Sequence, residues 1–404
     1  MSPRGRFTVR GGEEVERLMS ALSDEIAEVA GRVLAPGSFK ALVMIGGYGR
    51  GEGGVDSRGG AERPHNNVDL LLVTAGGASP ERWRAALQSA LEPLGRRYGI
   101  GLDVGAIAER ALRWAACRVI WYEMRFGHKT IAGDPGFVPS LGRFTADRIL
   151  PSDARDLLVN RGTLLLLNDA LLAAGRTPER DKAVLRHAAK AVIGYGDALL
   201  FFLGEYHWSY QEKRRRLLGR HDVPPAFQVL YDRAAEYRLE PAGSLFGRQD
   251  AAAWTESVRP LLAEVHLDCE RARLARPQLE WAGYPEAALR RAALDAASSP
   301  RALARGLAGR GATMPTPAGL SPLAALGWRL ASPRERLALV FPAVAYALPD
   351  AALGSLRATL GPAVDGPAAA RDAYLRTWGA VADTNFGAAL ERLGLSLDET
   401  ERAA

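Results

Sequence analysis

The chain has 404 residues, of which 48% are hydrophobic and 24% charged. That balance excludes a disordered chain and a collagen-like repeat, and two cysteines, Cys117 and Cys269, exclude a disulfide scaffold. The formal charge is +6, but Arg is spread along the chain and Lys occurs only at positions 40, 129, 182, 190 and 213. The basicity therefore reads as a compositional bias and does not by itself name a polyanionic partner. His65, His128, His187, His207, His221 and His266 are scattered, which excludes an HExxH zinc site and a Cys/His finger. The opening MSPRGRFTVRGGEE has no apolar core, and no run of 18 apolar residues occurs. A cytoplasmic protein with no membrane span is expected.

In chain order, residues 13–34 predict an amphipathic helix, with Val15, Leu18, Met19, Leu22, Ile26, Val29 and Val33 at spacings of three and four. Pro36-Gly37 stops it. Residues 41–45 read as a buried strand running into Gly46-Gly47, and 68–73 as a second. Residues 55–63 read as a hairpin turning at Gly59-Gly60. Residues 80–97 read as a helix, 101–107 as a third strand, and 119–132 as one or two more. From about 150 the pattern is helical over 157–174, 180–204, 225–238, 250–275 and 285–308. Pro315, Pro317 and Pro322 mark a linker, and 323–404 is helical again, broken near Pro342, Pro349 and Pro362. The predicted fold class is α+β: a small mixed-sheet domain over 1–140, a helical bundle over 141–295 and a C-terminal helical region over 296–404.

The chemistry concentrates in Ile45-Gly-Gly-Tyr-Gly-Arg-Gly-Glu-Gly-Gly54 and Asn66-Asn-Val-Asp-Leu-Leu-Leu-Val73. Glycines after a strand let backbone N–H groups approach a ligand closely, and Arg50 would add a charge-assisted bond to a phosphate. The stretch is not a P-loop, because no Lys-Ser/Thr follows. It is not a dinucleotide fingerprint, because more glycine follows where a long helix should begin. Asp69 sits inside a strand and Asp103 inside the next, although Asp is a poor strand residue. Two such acids facing a glycine turn make a site for Mg²⁺ and a nucleoside triphosphate.

These residues resemble the signature of the DNA polymerase β-type nucleotidyltransferase superfamily. Gly46-Gly-Tyr-Gly-Arg-Gly-Glu52, Asp69-Leu-Leu and Leu102-Asp-Val-Gly105 are most similar to the subgroup of the PII-protein uridylyltransferase and the glutamine-synthetase adenylyltransferase. The resemblance covers about residues 40–108. It implies transfer of an NMP from an NTP to an acceptor, with Mg²⁺ (or Mn²⁺) held by Asp69 and Asp103 and pyrophosphate released. It also implies that Asp103 activates the acceptor and that Gly46, Gly47, Tyr48, Arg50 and Glu52 hold the nucleotide. The sequence departs from the family at Asn67, which stands where the first carboxylate of Asp-x-Asp belongs. Either Asp56 or Glu62 substitutes, or one metal suffices, or the protein is a catalytically silent nucleotide-binding or regulatory protein. Residues 53–65 also form a longer connection than the subgroup uses.

A nucleotidyltransferase core needs a second body to close over the base and acceptor, and 150–240 is the stretch expected to supply it. His187, Lys190, Gly194 and Asp197 share one helical face. Lys190 or Lys213 would meet a phosphate and Tyr206 a base, with a solvated helix face as the rival reading. Arg161 stays undecided. Lys213-Arg-Arg-Arg216 is the one dense basic run. It lacks interleaved aromatics, so nucleic acid is not the expected partner. The acceptor, a small molecule or a protein, is not named by the sequence.

Overall fold

The computed structural model describes residues 5–58, 60–242, 250–297, 316–346, 353–361, 364–383 and 386–395. The chain divides into two compact units. One is drawn from Met1–Ala154 and Leu203–Arg248, the other from Arg155–Phe202 and Gln249–Ala404.

The first unit is built on a four-stranded sheet. Helix α1 (Glu13–Val33) precedes β1 (Phe39–Ile45), which runs directly into the short α2 (Gly46–Arg50). A minimal hairpin follows, β2 (Val55–Asp56) with β3 (Arg63–Pro64), then β4 (Val68–Thr74), α3 (Pro80–Tyr98) and β5 (Leu102–Ala108). Next come α4 (Glu109–Trp114), α5 (Val119–Phe126) and β6 (Lys129–Gly133). The strand order is β5-β4-β1-β6. β1 is antiparallel to β4 and β6, and β4 is parallel to β5, so the sheet is mixed. This is the expected α+β class: a small mixed sheet on the N-terminal side, followed by helices.

Strand alternation sends every second side chain to one face. Leu42 and Met44, Val68, Leu70 and Leu72, and Leu102 and Val104 form one core with Val15, Met19, Leu22 and Ile26 of α1 and Leu87, Leu91 and Leu94 of α3. The opposite face carries the odd positions of β4 and β5. α1 forms because its apolar residues recur at three and four, and Glu13, Glu14 and Glu16 favour its N-terminus electrostatically. The first unit is completed by α8 (Tyr210–Leu218) and α9 (Pro225–Leu239).

The second unit is helical throughout its described residues. It contains α6 (Pro151–Ala173) from Arg155 on, α7 (Pro178–Phe202), α10 (Ala251–Leu274) and α11 (Tyr284–Ala297), and further helices at Pro322–Leu330, Pro333–Ala345, Leu353–Leu360, Pro367–Val381 and Phe386–Arg392. Buried Trp328 packs with Tyr284 and Leu289, and a hydrogen-bonded row runs from Tyr195 through Tyr346 to His266.

Several expectations are corrected. Residues 119–126 are helix, not strand: the Asp153 carboxylate accepts the Val119 N–H at 2.7 Å and fixes the first turn, while Lys129–Gly133 is the strand. The Pro333–Ala345 helix continues through Pro342 and ends three residues later. The expected helix over 285–308 is described only to Ala297, and Gly59, Pro315, Pro349 and Pro362 lie outside the described residues. The division into 1–140, 141–295 and 296–404 differs from the observed units, because residues 203–248 group with the sheet and 249–295 with the C-terminal helices.

Candidate functional site

Asn67 and Asp69 are two apart in chain position, so they leave the same face of the sheet, opposite the α1/α3 core. In the parallel ladder Asp69 pairs with Asp103, which puts the second acid on that face too. All three side chains are exposed, while Val68, Leu102 and Val104 between them are buried. The Asn67 amide donates to Asp103 Oδ2 at 2.9 Å. Gly101 makes room for it, since a Cβ there would lie 2.7 Å from the amide carbon. Ile45, the last residue of β1, pairs with Asp69, so the chain turns into Gly46 directly beside the carboxylates. Gly46 has φ +69°, and a Cβ on it would lie 2.6 Å from Asp69 Oδ2. That position admits only glycine, on both conformational and steric grounds. The structure thus brings Asn67, Asp69, Asp103, Gly46 and Gly47 into one place. Among the described residues no group of three His, Cys, Asp or Glu side chains is arranged to hold a metal, so the set is two carboxylates and an amide.

The other expected nucleotide-binding side chains of this unit are engaged internally. Glu123, on α5, is their centre. Arg50 meets its Oε2 at 2.7 Å, while Lys213 Nζ at 3.2 Å and the Tyr206 hydroxyl at 2.7 Å meet its Oε1. The Arg50 side chain is only 3% exposed and that of Lys213 is 0% exposed. Burial opposes ionisation of Glu123, yet the Arg50 and Lys213 charges overcome it and hold the carboxyl down at about 2. Burial equally opposes the Arg50 charge, and Glu123 more than offsets it, so the guanidinium is held protonated still more firmly. Glu52 is buried and accepts the Ser209 hydroxyl and the Tyr210 and Gln211 N–H groups, so it caps α8. Tyr48 donates its hydroxyl to the Gly54 carbonyl and accepts the Asn66 N–H, and burial pushes its pKa up to about 12. Tyr48, Arg50, Glu52, Tyr206 and Lys213 are thus each engaged within the unit, where they help to clasp the 203–248 segment or the glycine loop.

The Tyr210 ring gathers three cations, with Arg50 at 4.3 Å, Lys213 at 4.6 Å and Arg238 at 4.4 Å from its centroid. Glu123, Tyr210 and Arg238 were not legible as site residues. Lys213 lies 90 positions from Glu123, and no local spacing signals that pairing.

The remaining expectations fall elsewhere. Lys190 lies on α7 in the second unit, half-buried. Its face is not solvated: His187 and Asp197 are buried, and Gly194 packs against the Arg161 stem. Burial pushes His187 down to about 3. The basic run is internally paired, Arg214 with Asp232 and Glu236, Arg215 with Glu212, and Arg216 with Glu212 and Glu205. Of the two acids that might replace Asn67, Asp56 is held by Arg58, chiefly through side-chain hydrogen bonds that lower it to about 2. Glu62 accepts the Gly12 N–H at the start of α1.

No protein-family model matches the chain. Over 101 residues, 24% of its length, it is 38% identical to a bifunctional uridylyltransferase/uridylyl-removing enzyme of Pseudomonas putida (strain GB-1). It is 37% identical over 101 residues to the enzyme of the same name from a second strain of that organism. The match takes in 10% of each, so the chain spans about a tenth of the length of these curated relatives. No helix among the described residues is long and apolar enough to cross a membrane.

Proposed function

We propose that the first unit transfers an NMP from an NTP to an acceptor hydroxyl, amine or phosphate. The observation that carries this is the Asp69–Asp103 register pair on one exposed face, reached by the Gly46–Gly47 turn. The likeness to a uridylyltransferase points the same way. The acceptor atom bonds to the α-phosphorus, the bond to the bridging oxygen breaks, and pyrophosphate leaves with its electron pair. The Asp103 carboxylate takes the acceptor proton. Asp69 and Asp103 would hold one divalent cation, Mg²⁺ or Mn²⁺, whose charge would neutralise the triphosphate oxygens. Gly46 and Gly47 leave the phosphates a close approach to the backbone.

The test is calorimetry with ATP, UTP, CTP and GTP, with and without Mg²⁺, followed by pyrophosphate release. Mg²⁺-dependent binding that Asp69→Ala removes is expected. Absence of binding by all four nucleotides would sink the proposal. A second reading, a silent nucleotide-binding protein, is favoured by the Asn67–Asp103 hydrogen bond, which occupies the acid that would take the proton. Turnover appearing only in Asn67→Asp would select it.

A further inference from the structure

Three cations surround Tyr210, and only two are neutralised. Arg50 and Lys213 share Glu123. Glu52, the buried acid of the glycine loop, is taken up by the α8 N-terminus. Arg238 forms no ion pair among the described residues, and its Nε is buried without a hydrogen-bond partner. Burying the Nε donor without an acceptor is costly, so the hydrogen-bonding capacity of this guanidinium is not fully met.

The position of the head group shows where the missing acceptor belongs. Arg238 Nη2 lies 3.4 Å from where a Cβ on Gly47 would be. Gly47 thus leaves the guanidinium open to the turn that runs beside Asp69. The Tyr210 ring lies 4.4 Å from the guanidinium carbon, a cation–π contact that helps to hold the head group in place for an oxyanion. Arg238 lies in the last turn of α9, and the Gly54 turn packs on the same place: a Cβ on Gly54 would lie 2.3 Å from the Arg238 carbonyl. The cation is therefore held by backbone packing as well as by the ring.

We propose that Arg238 binds phosphate, receiving the terminal phosphates of a polyphosphate chain beside Gly47, in the role expected of Arg50. This rests on the nucleotidyl-transfer reading only for the identity of the natural ligand. The chemistry itself requires a phosphate-bearing anion.

The experiment uses the whole chain and inorganic tripolyphosphate with Mg²⁺, alongside the four NTPs and their NMPs. Arg238→Met keeps the apolar stem over Tyr210, and its melting temperature checks folding. The variant is expected to lose about tenfold or more in tripolyphosphate and NTP affinity, with NMP binding unchanged and Arg238→Lys recovering part of the loss. Unchanged triphosphate affinity in folded Arg238→Met overturns the inference and leaves the transfer reading standing. Arg238-dependent tripolyphosphate binding with no nucleotide binding supports the inference and overturns that reading. A wild-type chain that binds neither tripolyphosphate nor any NTP overturns the inference too.

Discussion

Replacing Asn67 by Asp is the sharpest perturbation of the carboxylate face, because the two side chains are isosteric. In the wild type the amide donates to Asp103 Oδ2 at 2.9 Å. The substitution turns that donor into a second acceptor and sets a negative charge against Asp103. Both groups are exposed, so the lost hydrogen bond is worth about 1 kcal/mol and the new repulsion about 1 kcal/mol at the dielectric of water. In chelator the variant should therefore be less stable by about 2 kcal/mol. A divalent cation should narrow that gap, since three acids bind it better than two. A ligand at a hundred times its dissociation constant contributes about 2.7 kcal/mol. Urea titrations of both proteins in EDTA and in Mg²⁺ read both terms. The reasoning fails if Asn67→Asp matches the wild type in chelator, or if Mg²⁺ shifts its midpoint no more than it shifts that of the wild type.

Two further outcomes follow from Glu123. Its carboxyl is lowered from 4.5 to about 2, so its contribution, roughly 3 kcal/mol, is present above about pH 4.5 and lost as the pH falls through 2. Glu123→Gln should cost about 3–5 kcal/mol near neutrality by leaving Arg50 and Lys213 buried without their acid. The gap from the wild type should close in acid, and a gap that stays constant down to about pH 3 would refute the assignment. A fragment of residues 1–154 should lack a cooperative thermal transition, because Glu52 and Glu123 lose their partners on Tyr210, Tyr206 and Lys213. Restoring residues 203–248 through a flexible linker should recover it, and a cooperative transition of 1–154 alone would overturn the place given to that segment.

What the sequence disclosed was local or periodic. The strands at 41–45, 68–73 and 101–107 were legible as apolar runs, and the acids within two of them were legible as misfits. Adjacent parallel pairing then placed Asp69 opposite Asp103. Val119-Ile-Trp-Tyr misled because β-branched and aromatic residues favour strands. The helix there is set by a capping carboxylate from Asp153, 34 positions away, and a window of neighbouring residues cannot contain that information. The same holds for the domain boundary. The 203–248 segment joins the sheet unit through Glu52 and Glu123, and neither acid carries any mark of its distant partner.

The exchange between Arg50 and Arg238 shows why a motif can be recognised while its arginine is misassigned. An arginine beside a glycine turn is free for a phosphate only if no carboxylate lies nearer in the fold. Arg50 has Glu123 at 2.7 Å, in a site dry enough that the pair dominates both protonation states. Its charge is consumed in holding α5 to the glycine turn, and with Lys213 it ties α8 to the same acid. The segment held in this way carries Arg238, which has no acid paired with it among the described residues. The motif therefore builds its anion-binding charge indirectly: Arg50 is spent on packing, and that packing delivers a second guanidinium to Gly47. Phosphate affinity should accordingly depend on both arginines, on Arg238 through contact and on Arg50 through the fold.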